Sequence, residues 1–282
     1  EGCQFKDSTA TARNGGAVNV WALDKKDGTP TVECHVTIKD CDFKNCYCVI
    51  GTGANGNGGA LRSTATHNEI INCTFTNATG NTGGAIAISN KKAIEAIMTN
   101  CKMDNCVASD QGGGIYCQAK KLIINGDSNS IKNCKASNEG GGIYHSRSDD
   151  DSSFTMSNCT VENCVSNTKD GGGIYTNAKE VTLNGSEVKS RITNCYTTAA
   201  NKNGGGIYLN SATSVTLTNT TVEKCDATGM GGGLYHIGNT GSVTIQDCTI
   251  TLNTATDKND ATDNSGGGVY TNAMTLSVED ST

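Results

Sequence analysis

Hydrophobic and polar residues alternate in short runs along the whole chain. Val36-Thr37-Ile38, Thr74-Phe75-Thr76 and Ile86-Ala87-Ile88 show the pattern. A period of two over so few residues predicts short β-strands with one face buried. No segment keeps helical spacing over three turns. The runs are punctuated by a recurring signal, Gly-Gly followed by Ala or Gly and then an aliphatic residue. The aliphatic residues are Val18, Leu61, Ile86, Ile115, Ile143, Ile174, Ile207, Leu234 and Val269, so the unit repeats every 25 to 43 residues. A second signal, aliphatic-x-Asn/Asp-Cys-x-aliphatic, alternates with the first. Its Cys position is read at Cys3, Cys41, Cys73, Cys101, Cys134, Cys159, Cys195 and Cys248, with Thr220 taking it once.

Each unit therefore reads as three short strands, too few to enclose a core alone. Stacking unit on unit encloses one, which is how repeat chains are stabilised. The predicted fold is all-β: a right-handed parallel β-helix of about nine three-stranded rungs, with handedness following the general rule for parallel crossovers. Gly suits a tight turn with backbone close above and below. Asn and Asp suit the left-handed backbone of a corner. Residues 1–282 form a single β-helix segment. Cys3 already sits at a corner and Leu276 to Ser281 begins a further strand, so the segment is expected to be cut mid-rung at both ends and to belong to a longer protein. Variable polar stretches, Gly51 to Asn57, Ser146 to Ser153 and Thr256 to Ser265, are expected as projecting loops, and residues 19–34 as an excursion.

Composition narrows the functions. Thirty-five Gly stand against one Pro, and the net charge is −6. That charge argues against nucleic acid, whose binding needs a basic surface. No run of about 18 apolar residues exists, so no membrane span is expected in this segment. Fifteen Cys could form disulfides, bind metal, or line the interior as small hydrophobes. Registered columns of parallel Cβ vectors favour buried thiols over disulfides. No paired Cys-x-x-Cys motif supports zinc, and neither a metal nor a cofactor is expected. Asp149-Asp150-Asp151 and Asp257, Asp260 and Asp263 lack the spacing of a calcium loop. The four His do not recur in register in this reading.

From Ile115 onward each aliphatic is followed by Tyr. Alternation turns Tyr116, Tyr144, Tyr175, Tyr208, Tyr235 and Tyr270 outward on one face. This column is the candidate binding surface, either as a ladder that stabilises the sheet or as an aromatic strip for a sugar or protein partner. No catalytic residues are expected, because acidic side chains scatter among loops.

The stretches Asn72-Cys73-Thr74-Phe75-Thr76-Asn77 and Gly83-Gly84-Ala85-Ile86 resemble the repeat of the chlamydial polymorphic outer-membrane proteins. The Gly-Gly half recurs in all nine units, while Phe recurs only at Phe5 and Phe43. That resemblance implies a β-helical adhesin at the cell surface or outside the cell. It implies as partner a host or neighbouring-cell surface protein or glycan. A structural subunit of an extracellular filament, associating end to end, and a polysaccharide-binding or polysaccharide-degrading β-helix are the alternatives.

Overall fold

The computed structural model describes residues 1–11, 14–22, 33–48, 57–238, 241–256 and 266–282. The strands form four parallel sheets of nine strands each, every strand pairing with its counterparts one turn away. Sheet 1 runs from Gln4–Lys6 to Thr249–Thr251 and sheet 2 from Thr9–Ala10 to Thr254–Ala255. Sheet 3 runs from Val18–Val20 to Val269–Thr271 and sheet 4 from His35–Lys39 to Thr275–Glu279. The chain is thus a right-handed parallel β-helix. At the usual strand spacing, nine turns make a rod roughly 40 Å long.

The sequence predicts three strands per turn and the structure has four. Sheet 2 is the addition, and all its strands are two residues long, as at Thr79–Gly80. Two residues carry no alternation, so no periodicity announces them. The expected loops at 51–56 and 257–265, and most of the excursion at 23–32, lie outside the described residues.

Three corners shape each turn. Asp7, Asn45, Asn77, Asn105, Asn133, Asn163, Asn194, Lys224 and Leu252 join sheet 1 to sheet 2, all at φ between 50° and 56°. Asn and Asp tolerate this left-handed region because their short polar groups bond locally. Their amides also bond from turn to turn: Asn77 Nδ2 donates to Asn45 Oδ1 at 3.0 Å, and Asn105 Nδ2 to Asn77 Oδ1 at 2.8 Å. Asp40, Asn72, Asn100, Asn158, Asn219 and Asp247 make the corner between sheets 4 and 1. The Gly pair makes the third corner, and its two members do different jobs. Gly140 sits at φ +68°, and a Cβ on Gly141 would overlap the carbonyl oxygen of Gly172 in the next turn. The first Gly supplies conformation; the second supplies clearance.

The interior consists of columns. Phe5, Phe43 and Phe75 stack at 4.8 and 4.7 Å, and Met103, Ile131 and Val161 continue the column. The aliphatic column of sheet 3 is fully buried through its centre, Ile143, Ile174 and Ile207 each at 0% exposure. Each such side chain contributes roughly 1.5–3 kcal/mol.

Leu252 is the misfit at its corner: φ is +56° and the side chain is 72% exposed, so left-handed strain is offset by no burial. Leu252→Asn should stabilise the protein by roughly 1 kcal/mol, read as a raised denaturation midpoint with unchanged slope. A lowered midpoint would contradict the account of this corner.

Candidate functional site

The six tyrosines stand in register on the outer face of sheet 3, from Tyr116 to Tyr270. Neighbouring ring centroids lie 4.8 to 5.5 Å apart with interplanar angles of 5° to 24°. The rings are therefore stacked on one another rather than laid flat on the rod. Stacking occupies the faces of the inner four, and what they present outward is edges. Tyr208 and Tyr235 are only 8% exposed.

A polar ridge flanks the ladder, built from the residue before each Gly pair: Gln111, Glu139, Asp170 and Asn203. Gln111 Nε2 donates to Glu139 Oε2 at 2.9 Å, and Asn203 N donates to Asp170 Oδ1 at 2.8 Å. Burial pushes the phenols of Tyr144, Tyr175 and Tyr208 well up, and Glu139 adds to it in all three, with Asp170 beside Tyr175 and Tyr208. Burial also raises the carboxyl of Asp170. These ridge residues went unnoticed in the sequence because they vary in type. Their fixed position before the Gly pair was the available signal.

All the cysteines except Cys34, Cys48 and Cys117 fall in two columns, one at each Asn-containing corner. The first holds Cys3, Cys41, Cys73 and Cys101, then Asn129, Cys159, Ser190, Thr220 and Cys248. The second holds Cys106, Cys134, Cys164, Cys195 and Cys225 in five consecutive turns, with Cys46 two turns earlier. Cys134 and Cys195 therefore belong to the second column, not the first as the sequence suggested. Both corners carry an Asn-Cys pair. In those two turns the first corner is lengthened by Gly126 to Ser128 and Gly185 to Lys189 and lacks Cys, so the alignment slid to the next corner. No disulfide joins any of the fifteen cysteines in the structure. Cys164 Sγ donates to Ile131 O at 3.6 Å and Cys195 Sγ to Val161 O at 3.8 Å. Burial pushes Cys101, Cys117 and Cys159 up to about 12. The thiolate is the reactive form, so these groups are inert while enclosed.

The histidines do recur in register, contrary to the sequence reading. His35 stacks on His67 at 4.3 Å, with Glu95 next in the column and Glu69 beside them, around a cleft of about 170 Å³. His145 and His236 share an inward column of sheet 3, three turns apart, and both are fully buried. His145 Nε2 lies 2.8 Å from Ala119 O and Nδ1 lies 3.1 Å from Thr176 Oγ1, which assigns the proton to Nε2. Asp149 and Asp151 are ion-paired with Arg147 and Lys120. Asp257, Asp260 and Asp263 lie outside the described residues. Among the described residues no group of three or more His, Cys, Asp or Glu is arranged to hold a metal ion.

Two overlapping segments, residues 28–191 and 121–282, match the family model described as right handed beta helix region. The chain belongs to this right-handed β-helix family. No curated protein and no solved structure matches it. Membership fixes the architecture; in a β-helix, function resides on the faces, clefts and loops rather than in the coil.

Two expectations follow for the interior of this β-helix. A thiol reagent should promptly label only the exposed Cys3 and the partly exposed Cys34 in the native protein, and all fifteen after unfolding without reductant. A shortfall after unfolding would mean disulfides. Burial, with a smaller effect from Arg147, lowers the His145 imidazole from 6.5 to about 4. The unfolded chain thus binds this proton well before the folded one does. Stability is undiminished above pH 6.5 and falls as pH drops from 6.5 toward 4, by about 3 kcal/mol for this group. In denaturant titrations across that range, His145→Gln should show a flatter pH dependence than the parent; an equal slope would contradict it.

Proposed function

We propose that the chain is a non-enzymatic β-helical rod exposed at the cell surface or outside the cell, acting as an adhesin or stalk. It engages a protein or glycan of a host or neighbouring cell. The observation that carries this reading is the six-turn tyrosine face with its acidic ridge. It is about 24 Å long at the usual strand spacing and presents phenol edges, amides and carboxylates in fixed register. A preorganised aromatic–polar surface loses little entropy on binding, which suits recognition. Resemblance to the repeat of the chlamydial polymorphic outer-membrane proteins supports the same reading. No cofactor is required, and the acidic charge disfavours nucleic acid.

The test is adhesion of cells and matrix components to the immobilised protein, comparing the parent with Tyr175→Ser and Tyr208→Ser. Each stacked pair contributes roughly 0.5–1.5 kcal/mol, which a nine-turn coil can lose without unfolding. Adhesion should fall while the β-sheet circular dichroism is kept. Unchanged adhesion would remove the tyrosine face from the reading, and lost stability with intact adhesion would make the ladder purely structural. End-to-end filaments, visible by electron microscopy, would favour the structural-subunit alternative. One observation favours a polysaccharide-acting alternative: the cleft that gathers His35, His67, Glu69 and Glu95 holds groups of the acid/base type. Release of reducing sugar from polysaccharides, lost in Glu69→Gln, would establish it.

A further inference from the structure

The tyrosine ladder stops at Tyr116, because the preceding turn carries Ala87 in the same column. Tyr116 therefore has an aromatic neighbour on one face only, Tyr144 at 5.5 Å. Where the column ends, a cleft of about 320 Å³ opens, lined by Tyr116, Asn81, Ser89, Asp110, Gln111 and Gln118 among others. That volume lies at the small end of the roughly 300–1,000 Å³ typical of ligand sites.

The walls of this cleft are held in place. Gln118 Nε2 donates to Tyr116 Oη at 2.8 Å, and Asn138 Nδ2 donates to Asp110 Oδ1 at 2.7 Å. Ser109 Oγ donates to Asn81 Oδ1 at 2.9 Å, and Gln111 Nε2 donates to Glu139. Each bond fixes one end of a side chain that has further donor or acceptor capacity. Ser89 Oγ is different: it is buried and has no hydrogen-bond partner. Buried hydroxyls are nearly always satisfied, by protein or by water, so this one keeps capacity for one further polar partner at the cleft wall.

The chemistry selects the ligand. One aromatic ring end, several amide and hydroxyl groups and one carboxylate suit a molecule with an apolar C–H face and a rim of hydroxyls. Among the described residues no Lys, Arg or His lines the cleft, and Asp110 repels anions. We propose that the cleft binds the terminal pyranose of an uncharged glycan, its C–H face toward Tyr116 and its hydroxyls shared among Asp110, Gln111, Gln118, Asn81 and Ser89. The proposal rests on the reading of the rod as a binding protein and names the chemistry of one of its sites.

The test is saturation-transfer NMR and titration with the methyl glycosides of glucose, galactose, mannose and N-acetylglucosamine, with glucuronate and sialic acid as charged probes. At least one neutral glycoside should bind, and Asp110→Ala should weaken it about tenfold or more. Ala87→Tyr, which places a ring against the face of Tyr116 that has none, should abolish binding. If that variant fails to fold, Ser89→Ala serves in its place. No neutral glycoside binding to folded protein would overturn the proposal. So would a preference for the charged probes, or binding that survives the cleft variants. Adhesion without glycoside binding would sink the cleft and leave the rod. Glycoside binding without adhesion would do the reverse.

Discussion

The backbone hydrogen bonds of this molecule run along its axis, from each turn to the next, and every other feature answers to that arrangement. A turn can donate and accept along its whole length only if its outline matches its neighbours'. The outline is set at three corners. At two of them the chain bends through the left-handed region, where Asn and Asp are tolerated and bond to their counterparts above and below. At the third, Gly140 and its equivalents bend the chain, and Gly141 and its equivalents let adjacent backbones close without a side chain between them. Columns of like residues follow as a consequence, because a position repeated at fixed spacing meets the same environment nine times.

This explains what could be read from the sequence. Gly pairs and the aliphatic residues after them are demanded by geometry, so the handed coil, its turn count and the outward tyrosines were all legible. Sheet 2 was not, because two residues between two corners leave no pattern to detect. The cysteines were misaligned at Cys134 and Cys195 because two corners use the same Asn-Cys pair and only their spacing tells them apart. His35 and His67 were missed for a related reason. Loops of different length separate successive strands, so residues that stack at 4.3 Å sit 32 positions apart in sequence, unlike the next pair in the same column. The polar ridge of Gln111, Glu139 and Asp170 shares a position but not a residue type, and residue type was what the pattern followed.

Stacking also decides where recognition can occur on the tyrosine face. A ring packed between two others has given up both faces, so a partner meets phenol edges and the ridge beside them along the middle of the ladder. At the Tyr116 end of the column a face is left without a ring against it, and there the surrounding side chains change from a continuous ridge to a cleft. A regular array thus acquires a unique place without any break in the coil. The variable part is the column's length, set where Asn19, Arg62 and Ala87 stand in place of Tyr.

The enclosed thiols bear on how the molecule fails rather than how it works. While the coil is closed, Cys106, Cys134, Cys164, Cys195 and Cys225, one in each of five consecutive turns, are shielded from solvent. Once a turn opens, they are released together with ten others into the same flexible chain. In an oxidising medium those groups cross-link in arrangements that no stacked coil can accommodate. Unfolding is then a one-way event, and the lifetime of the rod is governed by the height of its unfolding barrier rather than by an equilibrium between folded and unfolded chains.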